Sequence, residues 1–306
     1  PGEMERQVRM VQPNYGILTN IGLAHIGSFG TKSVTASEKL GLFSTLGAEG
    51  WLLAPEDVDV SPLATSVIRH DAPNNVVLQK RTDTHDGSLL TLKFPSGVEK
   101  AVAVRTRSAH LVSNLMIAVS AAFHLGVSPE QIASALEGYS CGPTRLEMWQ
   151  SPQGVVFIND AYSADPLSVQ AALEVEAQHA TAGGQRIFVF AGMDELGDRS
   201  QKEHELMGRL AANQGISHLL IPPRQNTQWT AAAFEAANPT GVVLEVPLEK
   251  WGDAVRSLAS PGDTVLIKGP RSDGLVHEAR RLWETMAGKR MVVDLGAIRE
   301  NIACFR

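Results

Sequence analysis

The feature that most constrains this chain is a regular alternation of apolar runs with segments of helical periodicity over residues 154–286. Short apolar runs bounded by glycine, proline or aspartate predict buried strands, and the segments between them predict helices. The predicted strands are 154–159, 186–192, 218–221, 242–246 and 264–268. Such alternation is typical of a doubly wound, mostly parallel α/β sheet, whose ligands bind at the carboxyl ends of the strands.

The first 145 residues follow a less regular pattern. Residues 15–21 predict a buried strand, and residues 33–46 predict a helix. Three further runs with turn signals between them predict an antiparallel meander, at 76–80, 89–94 and 101–105. The breaker cluster 141–144 predicts a domain boundary near residue 145, which separates a domain at 1–145 from one at 146–288. Residues 289–306 then predict a basic linker and the beginning of a third unit.

Composition excludes several function classes. A net charge of -6 without a basic run argues against a general nucleic-acid binder. No apolar stretch reaches the roughly 20 residues of a membrane span. The two cysteines, Cys141 and Cys304, are too far apart for a zinc pattern and favour a reducing, cytoplasmic compartment. Because the chain starts at Pro1 and stops at Arg306 within a helical pattern, we expect that both ends are cut.

A loop histidine and a helix lysine form the first candidate site. His25 follows the first predicted strand, and Lys39 lies on the next helix. A neutral imidazole binds divalent metals, whereas a lysine becomes a ligand only after its charge is removed, for example by carbamylation. From these residues alone, the alternative of an ordinary loop histidine and a solvated lysine is favoured.

Three more candidate motifs follow strands of the predicted sheet. In residues 160–166, Asp160 suits ribose hydroxyls, and the alternative for Asp165 is that it is no more than a helix N-cap. The acidic loop 192–197 is either a substrate-facing turn or a plain connection. Lys268-Gly-Pro-Arg271 suits a carboxylate or phosphate. All three motifs are expected at one edge of the sheet.

The sequence contains neither a Gly-x-x-x-x-Gly-Lys-[Ser/Thr] phosphate loop nor Gly-x-Gly-x-x-Gly. If the protein uses a nucleotide, we therefore expect the phosphate cradle upstream of Pro1.

Taken in order, these motifs resemble the Mur ligases, and within them the branch that adds D-alanyl-D-alanine to the UDP-muramoyl tripeptide. The resemblance runs from Pro1 to about Gly288, and residues 291–301 look like the first strand and helix of alanine racemase. The motifs that carry it are Thr19-Asn-Ile-Gly-Leu-Ala-His25, Lys39, His110, Asn114, Arg145, Asn159-Asp160, Gly192-Met-Asp-Glu-Leu-Gly197 and Lys268-Gly-Pro-Arg271.

The resemblance implies a fold, a reaction and its partners. The fold would be a partial central ATPase domain with a mixed sheet, lacking its phosphate-loop part, followed by a Rossmann-like doubly wound C-terminal domain. The reaction would be ATP-driven amide formation through an acyl phosphate, with UDP-MurNAc-tripeptide and D-alanyl-D-alanine as partners. The fused racemase would bind pyridoxal phosphate and make the parent protein a dimer. The fragment alone would be inactive.

The resemblance also implies residue roles. His25 and a carbamylated Lys39 would hold Mg²⁺, and together with Arg145 they would be the catalytic residues. ATP would contact Asn114 and His110 at the adenine, Asp160 at the ribose and Arg145 at the phosphates. The substrate side chains would be Tyr162, Asp165, Glu195, Lys268 and Arg271.

Three departures from the family pattern leave alternatives open. Residues 161–166 read Ala-Tyr-Ser-Ala-Asp-Pro in place of Ser-Tyr-Asn-Ala-Asn-Pro, His110 is followed by Leu111 rather than asparagine, and Pro270 replaces a serine. One alternative is a degenerate domain that only carries the racemase. Another is a folate- or cyanophycin-type amide ligase, which the 192–197 loop and the racemase-like tail disfavour.

Overall fold

The computed structural model describes residues 3–22, 26–63, 65–70, 72–84, 87–139, 142, 144–271 and 274–286. His25, both cysteines and the racemase-like segment 289–306 lie outside these ranges. The described strands form three sheets, of three, three and six strands. None of the described helices combines the length and the apolar character that a membrane crossing requires.

The first part of the chain, residues 3–139, contains two small sheets and five helices. Its strands are β1 Tyr15–Ile17, β2 Trp51–Ala54, β3 Ser66–Arg69, β4 Val77–Asp83, β5 Ser88–Lys93 and β6 Glu99–Val104. Its helices are α1 Glu3–Val11, α2 Ile26–Phe29, α3 Lys32–Leu40, α4 Ala109–His124 and α5 Pro129–Glu137. β1, β2 and β3 pair in parallel, and β4, β5 and β6 form the predicted antiparallel meander.

The first strand is shorter and more exposed than the sequence predicts. β1 ends at Ile17, and the side chains of Tyr15 and Ile17 are 48% and 45% exposed. β1 lies at the edge of its sheet, so only one of its edges is paired with a described strand. The middle residue, Gly16, is buried, and the Phe43 ring lies so close that a Cβ added to Gly16 would be 2.5 Å from it. The prediction of a longer, buried strand over 15–21 is therefore wrong.

The helix that carries Lys39 begins with a capped turn. The Thr31 side chain accepts the Val34 N–H at 3.2 Å, which satisfies a donor that the first turn leaves free. The helix ends at Leu40 and continues as a 3-10 turn over Gly41–Phe43. Lys39 thus lies in the last turn of α3.

The second part of the chain, residues 144–286, has the predicted alternation. Its strands are β7 Glu147–Gln150, β8 Val156–Asp160, β9 Arg186–Phe190, β10 His218–Ile221, β11 Val242–Glu245 and β12 Thr264–Lys268. Its helices are α6 Pro166–His179, α7 Ser200–Asn213, α8 Gln225–Ala237, α9 Trp251–Leu258 and α10 Leu275–Met286. The strand order is β11-β10-β9-β12-β8-β7, and every pair is parallel except β7 with β8. This confirms the α/β fold class.

Apolar side chains cover both faces of this sheet. One cluster contains Phe188, Phe190 and Leu266, and the other contains Phe157, Val189 and Val265. Alternate residues of one strand thus enter opposite clusters, as the two-residue repeat of a strand requires. A sheet buried on both faces explains why its strands appear in the sequence as nearly continuous apolar runs.

Candidate active site

A buried ion pair joins the carboxyl ends of two neighbouring strands. Lys268 ends β12 and Asp160 ends β8, and the two residues are register partners. The Lys268 ammonium lies 2.6 Å from Asp160 Oδ2 and donates to the Ser163 carbonyl at 2.7 Å. The other Asp160 oxygen accepts the Leu146 N–H at 3.1 Å. Since the Lys268 side chain is only 1% exposed, this geometry gives no support to the prediction that it binds a substrate anion directly.

Two arginines lie against one tyrosine beyond this pair. The Arg145 guanidinium carbon is 4.2 Å from the centre of the Tyr162 ring, and that of Arg271 is 5.4 Å away. Arg271 Nη1 also lies 3.4 Å from the Tyr162 hydroxyl. Contacts between a guanidinium and an aromatic face restrain both groups without neutralising the charge. The two guanidinium groups therefore lie side by side with their positive charges available to an anion.

These residues line a cavity that we call the arginine cleft. Its volume is about 740 Å³, which lies within the range of small-molecule sites. Its lining includes three arginines together with tyrosine and tryptophan rings. The described lining residues are Gly142, Thr144, Arg145, Glu147, Trp149, Asn159, Tyr162, Arg271, Val276, His277, Ala279, Arg280 and Trp283.

The backbone on both sides of Arg145 is in an unusual conformation. Thr144 has φ 63° and Leu146 has φ 50°, values in the left-handed region that side chains other than glycine rarely adopt. Side-chain oxygens hold both peptides, because Glu147 Oε2 accepts the Thr144 N–H at 3.0 Å and Asp160 accepts that of Leu146. Strain of about 1–3 kcal/mol per residue persists only where such contacts fix it. The Lys268–Asp160 pair thus helps to orient Arg145.

The second cavity, the Lys39 cavity, lies between the two parts of the chain. Its volume is about 410 Å³, and it brings together Lys39, His110, Asn114 and Asp165. Residues 3–139 contribute Thr19, Asn20, Gly22, Lys39, His110, Ser113 and Asn114, and the second part contributes Asp165, Leu167, Ser168, Gln170, Ala171 and Glu174.

Asn114 and His110 are one turn apart on α4, and their side-chain nitrogens Nδ2 and Nε2 lie 3.4 Å from each other. Both residues border the cavity, so this turn of α4 presents an amide and an imidazole to a ligand. The three- and four-residue spacings of 110, 113 and 114, and of 167, 170, 171 and 174, place each set on one helix face.

Asp165 is the N-cap of α6. Its carboxylate accepts the N–H groups of Leu167 at 3.1 Å and Ser168 at 3.2 Å, and the Ser168 hydroxyl completes a capping box. The structure therefore has the N-cap that the sequence left open as an alternative, while the same residue borders the Lys39 cavity. Pro166 occupies the first helical position, where its missing N–H costs nothing.

The acidic loop 192–197 packs against α2 of the first part. The Glu195 carbonyl accepts the Gly27 N–H at 2.7 Å, and Glu195 has φ 59°. A Cβ on Gly27 would lie 2.7 Å from both that carbonyl oxygen and the Gly197 nitrogen. Ile26 is 3% exposed and belongs to the same core cluster as Met193. The backbone of this loop thus forms a contact between the two parts.

Predicted site residues therefore fall into four places. Lys39, His110, Asn114 and Asp165 surround one cavity, and Arg145, Tyr162 and Arg271 surround the other. Asp160 and Lys268 form the buried pair, and Glu195 contacts α2. Within the described ranges, no group of three His, Cys, Asp or Glu side chains could hold a metal ion, and His25 is not among those residues.

The sequence interpretation missed several residues of both cavities. Glu174 and Gln170 border the Lys39 cavity and bond to each other at 3.0 Å. Trp149, Arg280 and Trp283 border the arginine cleft. For the residues on α6 and α10, helical spacing was the available signal, but it does not distinguish a cavity wall from an ordinary helix face. Trp149 lies on the short strand β7, where no such spacing exists.

Comparisons with known proteins cover almost the whole chain. A model of the Mur ligase middle domain matches residues 1–122, and a model of the Mur ligase glutamate ligase domain matches residues 144–271. The UDP-N-acetylmuramoyl-tripeptide--D-alanyl-D-alanine ligase of Bacillus subtilis is 27% identical over 288 residues, which are 93% of this chain and 62% of that protein. The chain therefore spans less than two thirds of this relative.

Solved structures agree with these matches. MurF from Acinetobacter baumannii is 25% identical, with a TM-score of 0.78 over 92% of this chain and 62% of that one. MurF ligase from Thermotoga maritima, determined in complex with ADP, has the same TM-score of 0.78 at 19% identity, over 95% of this chain and 66% of that one. At 19% identity the likeness concerns the fold.

Proposed function

Because this chain belongs to the Mur ligase family, we propose that it supplies the middle and C-terminal domains of an ATP-dependent ligase that adds D-alanyl-D-alanine to UDP-MurNAc-tripeptide. The observation that carries this proposal is the Lys39 cavity, whose walls come from both parts of the chain. A ligase that joins a phosphoryl donor to two substrates needs a site of this kind, which forms only when its parts come together. Two relatives, from Bacillus subtilis and Mycobacterium tuberculosis, are named as ligases of these substrates and support the choice.

The proposed reaction has two steps. The terminal carboxylate of the tripeptide attacks the γ-phosphorus of ATP, which forms an acyl phosphate and releases ADP. The amine of D-alanyl-D-alanine then attacks the acyl carbon, the phosphate leaves with its bonding electrons, and the amine gives up a proton. Catalysis of such a phosphoryl transfer consists mainly of positioning and charge compensation.

The nucleotide is proposed to bind along the Lys39 cavity and to extend beyond it to Asp160 and Arg145. The Asn114 amide offers a donor and an acceptor to the edge of the adenine, and His110 borders the same space. Asp160 would take the ribose with lone pairs that its bonds to Lys268 and Leu146 leave available. Arg145 would reach the phosphates from the hinge between the two parts.

The chemistry of the side chains supports a magnesium site beside Lys39. Mg²⁺ prefers oxygen ligands and binds through few protein groups plus phosphate and water. Thr19 and Asn20, which border the cavity next to Lys39, carry such oxygens, and a carbamate on Lys39 would add another. We propose that Lys39 and His25 hold the ion, which when bound would offset negative charge on the phosphates.

The arginine cleft is proposed to bind the amine substrate. Arg271 would receive the carboxylate of D-alanyl-D-alanine bidentately, while its contact with the Tyr162 hydroxyl keeps the guanidinium in place. Lys268, which the structure buries, would act through Asp160 instead of touching the substrate. Asp165, at the Lys39 cavity, and Glu195, beside α2, would lie next to the bound substrates.

The intact protein is further proposed to be a cytoplasmic, bifunctional enzyme in peptidoglycan precursor synthesis. Residues 291–301 support a fused alanine racemase, which would bind pyridoxal phosphate, form the dimer and make D-alanine for the second substrate. ATP and UDP-linked precursors support a cytoplasmic location.

One assay tests the main proposal. ADP release by the intact protein is measured with UDP-MurNAc-tripeptide alone, with D-alanyl-D-alanine alone and with both, and the product is identified by its mass. We expect continuous ADP release and the pentapeptide product only when both are present with Mg²⁺, whereas the tripeptide alone should release no more than one ADP per enzyme molecule. A folded protein that racemises alanine but never forms the product would overturn the ligase and favour the scaffold alternative.

A further inference from the structure

His204 of α7 has a fully buried side chain, and both of its ring nitrogens bond to backbone groups. Nε2 accepts the Met193 N–H at 3.0 Å, and Nδ1 lies 2.8 Å from the Ser200 carbonyl oxygen, to which it donates. This pair of bonds requires the neutral tautomer with its proton on Nδ1. A protonated ring would place a second donor against the Met193 N–H.

The residues next to this bond form the 192–197 loop. Gly192 has φ 95°, and a Cβ there would lie 3.3 Å from His204 Nε2, so the loop passes close to the ring. Met193 and Leu196 enter the core. Between them, Glu195 adopts its left-handed conformation and presents its carbonyl to Gly27. One end of the loop is thus tied to His204 and its outer side to the first part of the chain.

We propose that His204 is a positioning residue for the contact between the two parts of the chain. Its neutral ring holds the Met193 peptide, which sets the shape of the 192–197 loop and thereby the acceptor that binds Gly27. Since Gly27 and Lys39 belong to the same part, this contact also fixes where Lys39 faces α6. The proposal rests on the proposed function insofar as a closed Lys39 cavity serves ligation.

The surroundings of the ring favour the neutral form. Burial is the largest influence and lowers the pKa of His204 below 6.5, whereas the bond to the Ser200 carbonyl and the charges of Asp194 and Glu203 act in the opposite direction. Arg199 pairs with Glu203 at 3.1 Å. The ring neighbours from α8 and β9 are Trp229, at 6.2 Å between ring centres, and Phe190, at 6.1 Å; both are uncharged, as are Asn226 and Thr227 of α8 beside Gly192.

The direction of the pH effect follows from that shift. A histidine with a lowered pKa in the folded state adds stability that is complete above its unfolded value of about 6.5 and is lost as the pH falls from there through the folded pKa. The contact with Gly27 should therefore loosen under acid conditions.

Hydrogen exchange of the intact protein tests the proposal without any need for ligation. The peptides to follow span residues 190–198 and 26–31, at pH 7.5 and 5.5, with correction for intrinsic exchange rates. His204→Gln puts an uncharged amide oxygen near the position of Nε2, whereas His204→Leu removes the acceptor at similar volume. His218→Gln, on β10, is the matched control.

We expect His204→Leu to speed exchange of both peptides about tenfold at both pH values, as the loss of one buried hydrogen bond implies. The wild-type protein should lose protection only at pH 5.5, and His204→Gln should keep it at both. In ligation, His204→Leu should lower kcat more than it raises the KM for ATP, and His204→Gln should flatten the acid side of the kcat profile.

Unchanged exchange in His204→Leu, or equal losses in the Leu and Gln variants, would overturn the role of His204. If His204→Leu does not fold, His204→Gln decides the question. A loss of exchange protection at pH 5.5 in His204→Gln as large as that of the wild-type protein would also overturn the role of His204. A protein that passes the exchange test but forms no amide product would refute the proposed function and leave the positioning role intact.

Discussion

The two cavities differ in how they are built. The described lining of the arginine cleft comes entirely from residues 142–283, at the end of one sheet and along α10. The Lys39 cavity takes one wall from residues 19–114 and the other from α6 and its cap. The cleft is therefore a product of one sheet, whereas the Lys39 cavity exists only while the two parts stay in contact.

The chemistry of the two cavities differs as well. The cleft contains three arginines beside aromatic rings, which suits a compact anion with a small apolar part. The Lys39 cavity contains one lysine, two carboxylates and several amides and hydroxyls, which suits a larger polar ligand with many hydrogen bonds. The difference fits the proposed division of labour between a cleft formed within the second part and a cavity that the contact with α2 completes.

The largest effect on ATP turnover should come from testing the 306-residue chain without the rest of the proposed intact protein. The 306-residue chain alone should show no ATP turnover, because it lacks a phosphate-loop motif, although both cavities are present. The measurement is ADP release by this chain beside the intact protein at equal concentration. ADP release by the chain alone would mean that the Lys39 cavity can activate ATP unaided.

Lys39→Ala in the intact protein should reduce ligation by roughly a hundredfold or more, since even the loss of a group that only orients a metal ligand costs about 10- to 100-fold. Added short carboxylic acids should restore part of the rate by supplying the missing oxygen. Lys32→Ala, at an exposed position on the same helix, is the control. Full activity of Lys39→Ala would remove the metal site from the Lys39 cavity.

Lys268→Met tests whether the cleft depends on its buried pair. Without Lys268, Asp160 would keep a charge in a largely buried place, and we expect a loss of about 3 kcal/mol in the free energy of unfolding. Denaturant titration measures it, with Lys202→Met on the exposed face of α7 as the control. Adding Asp160→Asn should recover part of the loss, and a strictly additive double variant would contradict the pairing.

Much of the second part was predictable, and the reason lies in its burial. β10 and β12 have the predicted bounds, because a strand buried on both faces leaves a continuous apolar run in the sequence. The sequence analysis missed β7, whose Met148 and Trp149 lie between a glutamate and a glutamine in a four-residue strand. A segment that short carries no readable period.

The site was predictable as a list of residues but not as an arrangement. Carboxyl-end positions identified Asp160, Tyr162 and Lys268, since all parallel strands end at one edge. The sequence could not tell that Lys268 turns inward to Asp160, because a lysine after an apolar strand is compatible with either direction. Nor could the sequence predict that Arg145 and Lys39 line different cavities, since their relative position depends on how α2 packs against the 192–197 loop.

Gly27→Ala should disturb only the cavity that depends on contact between the parts. Its new Cβ would lie 2.7 Å from backbone atoms of the 192–197 loop, which cannot give way cheaply, so we expect ligation to fall about tenfold. Gly41→Ala is the matched control, because φ is -53° there and no atom lies within 4 Å of the added Cβ. Binding of D-alanyl-D-alanine, measured by calorimetry, should stay unchanged, and a parallel loss there would mean that the cleft also depends on α2.

Arg271→Lys should give the smallest effect and one confined to the cleft. Lysine keeps the charge but cannot form two parallel bonds to a carboxylate, so the KM for D-alanyl-D-alanine should rise about fivefold. The KM for ATP should stay constant, as should stability, because Arg271 is exposed. Arg209→Lys, on the exposed side of α7, controls for the substitution itself. If the KM for ATP rose instead, Arg271 would share the phosphate contact proposed for Arg145, since both arginines lie against the same ring.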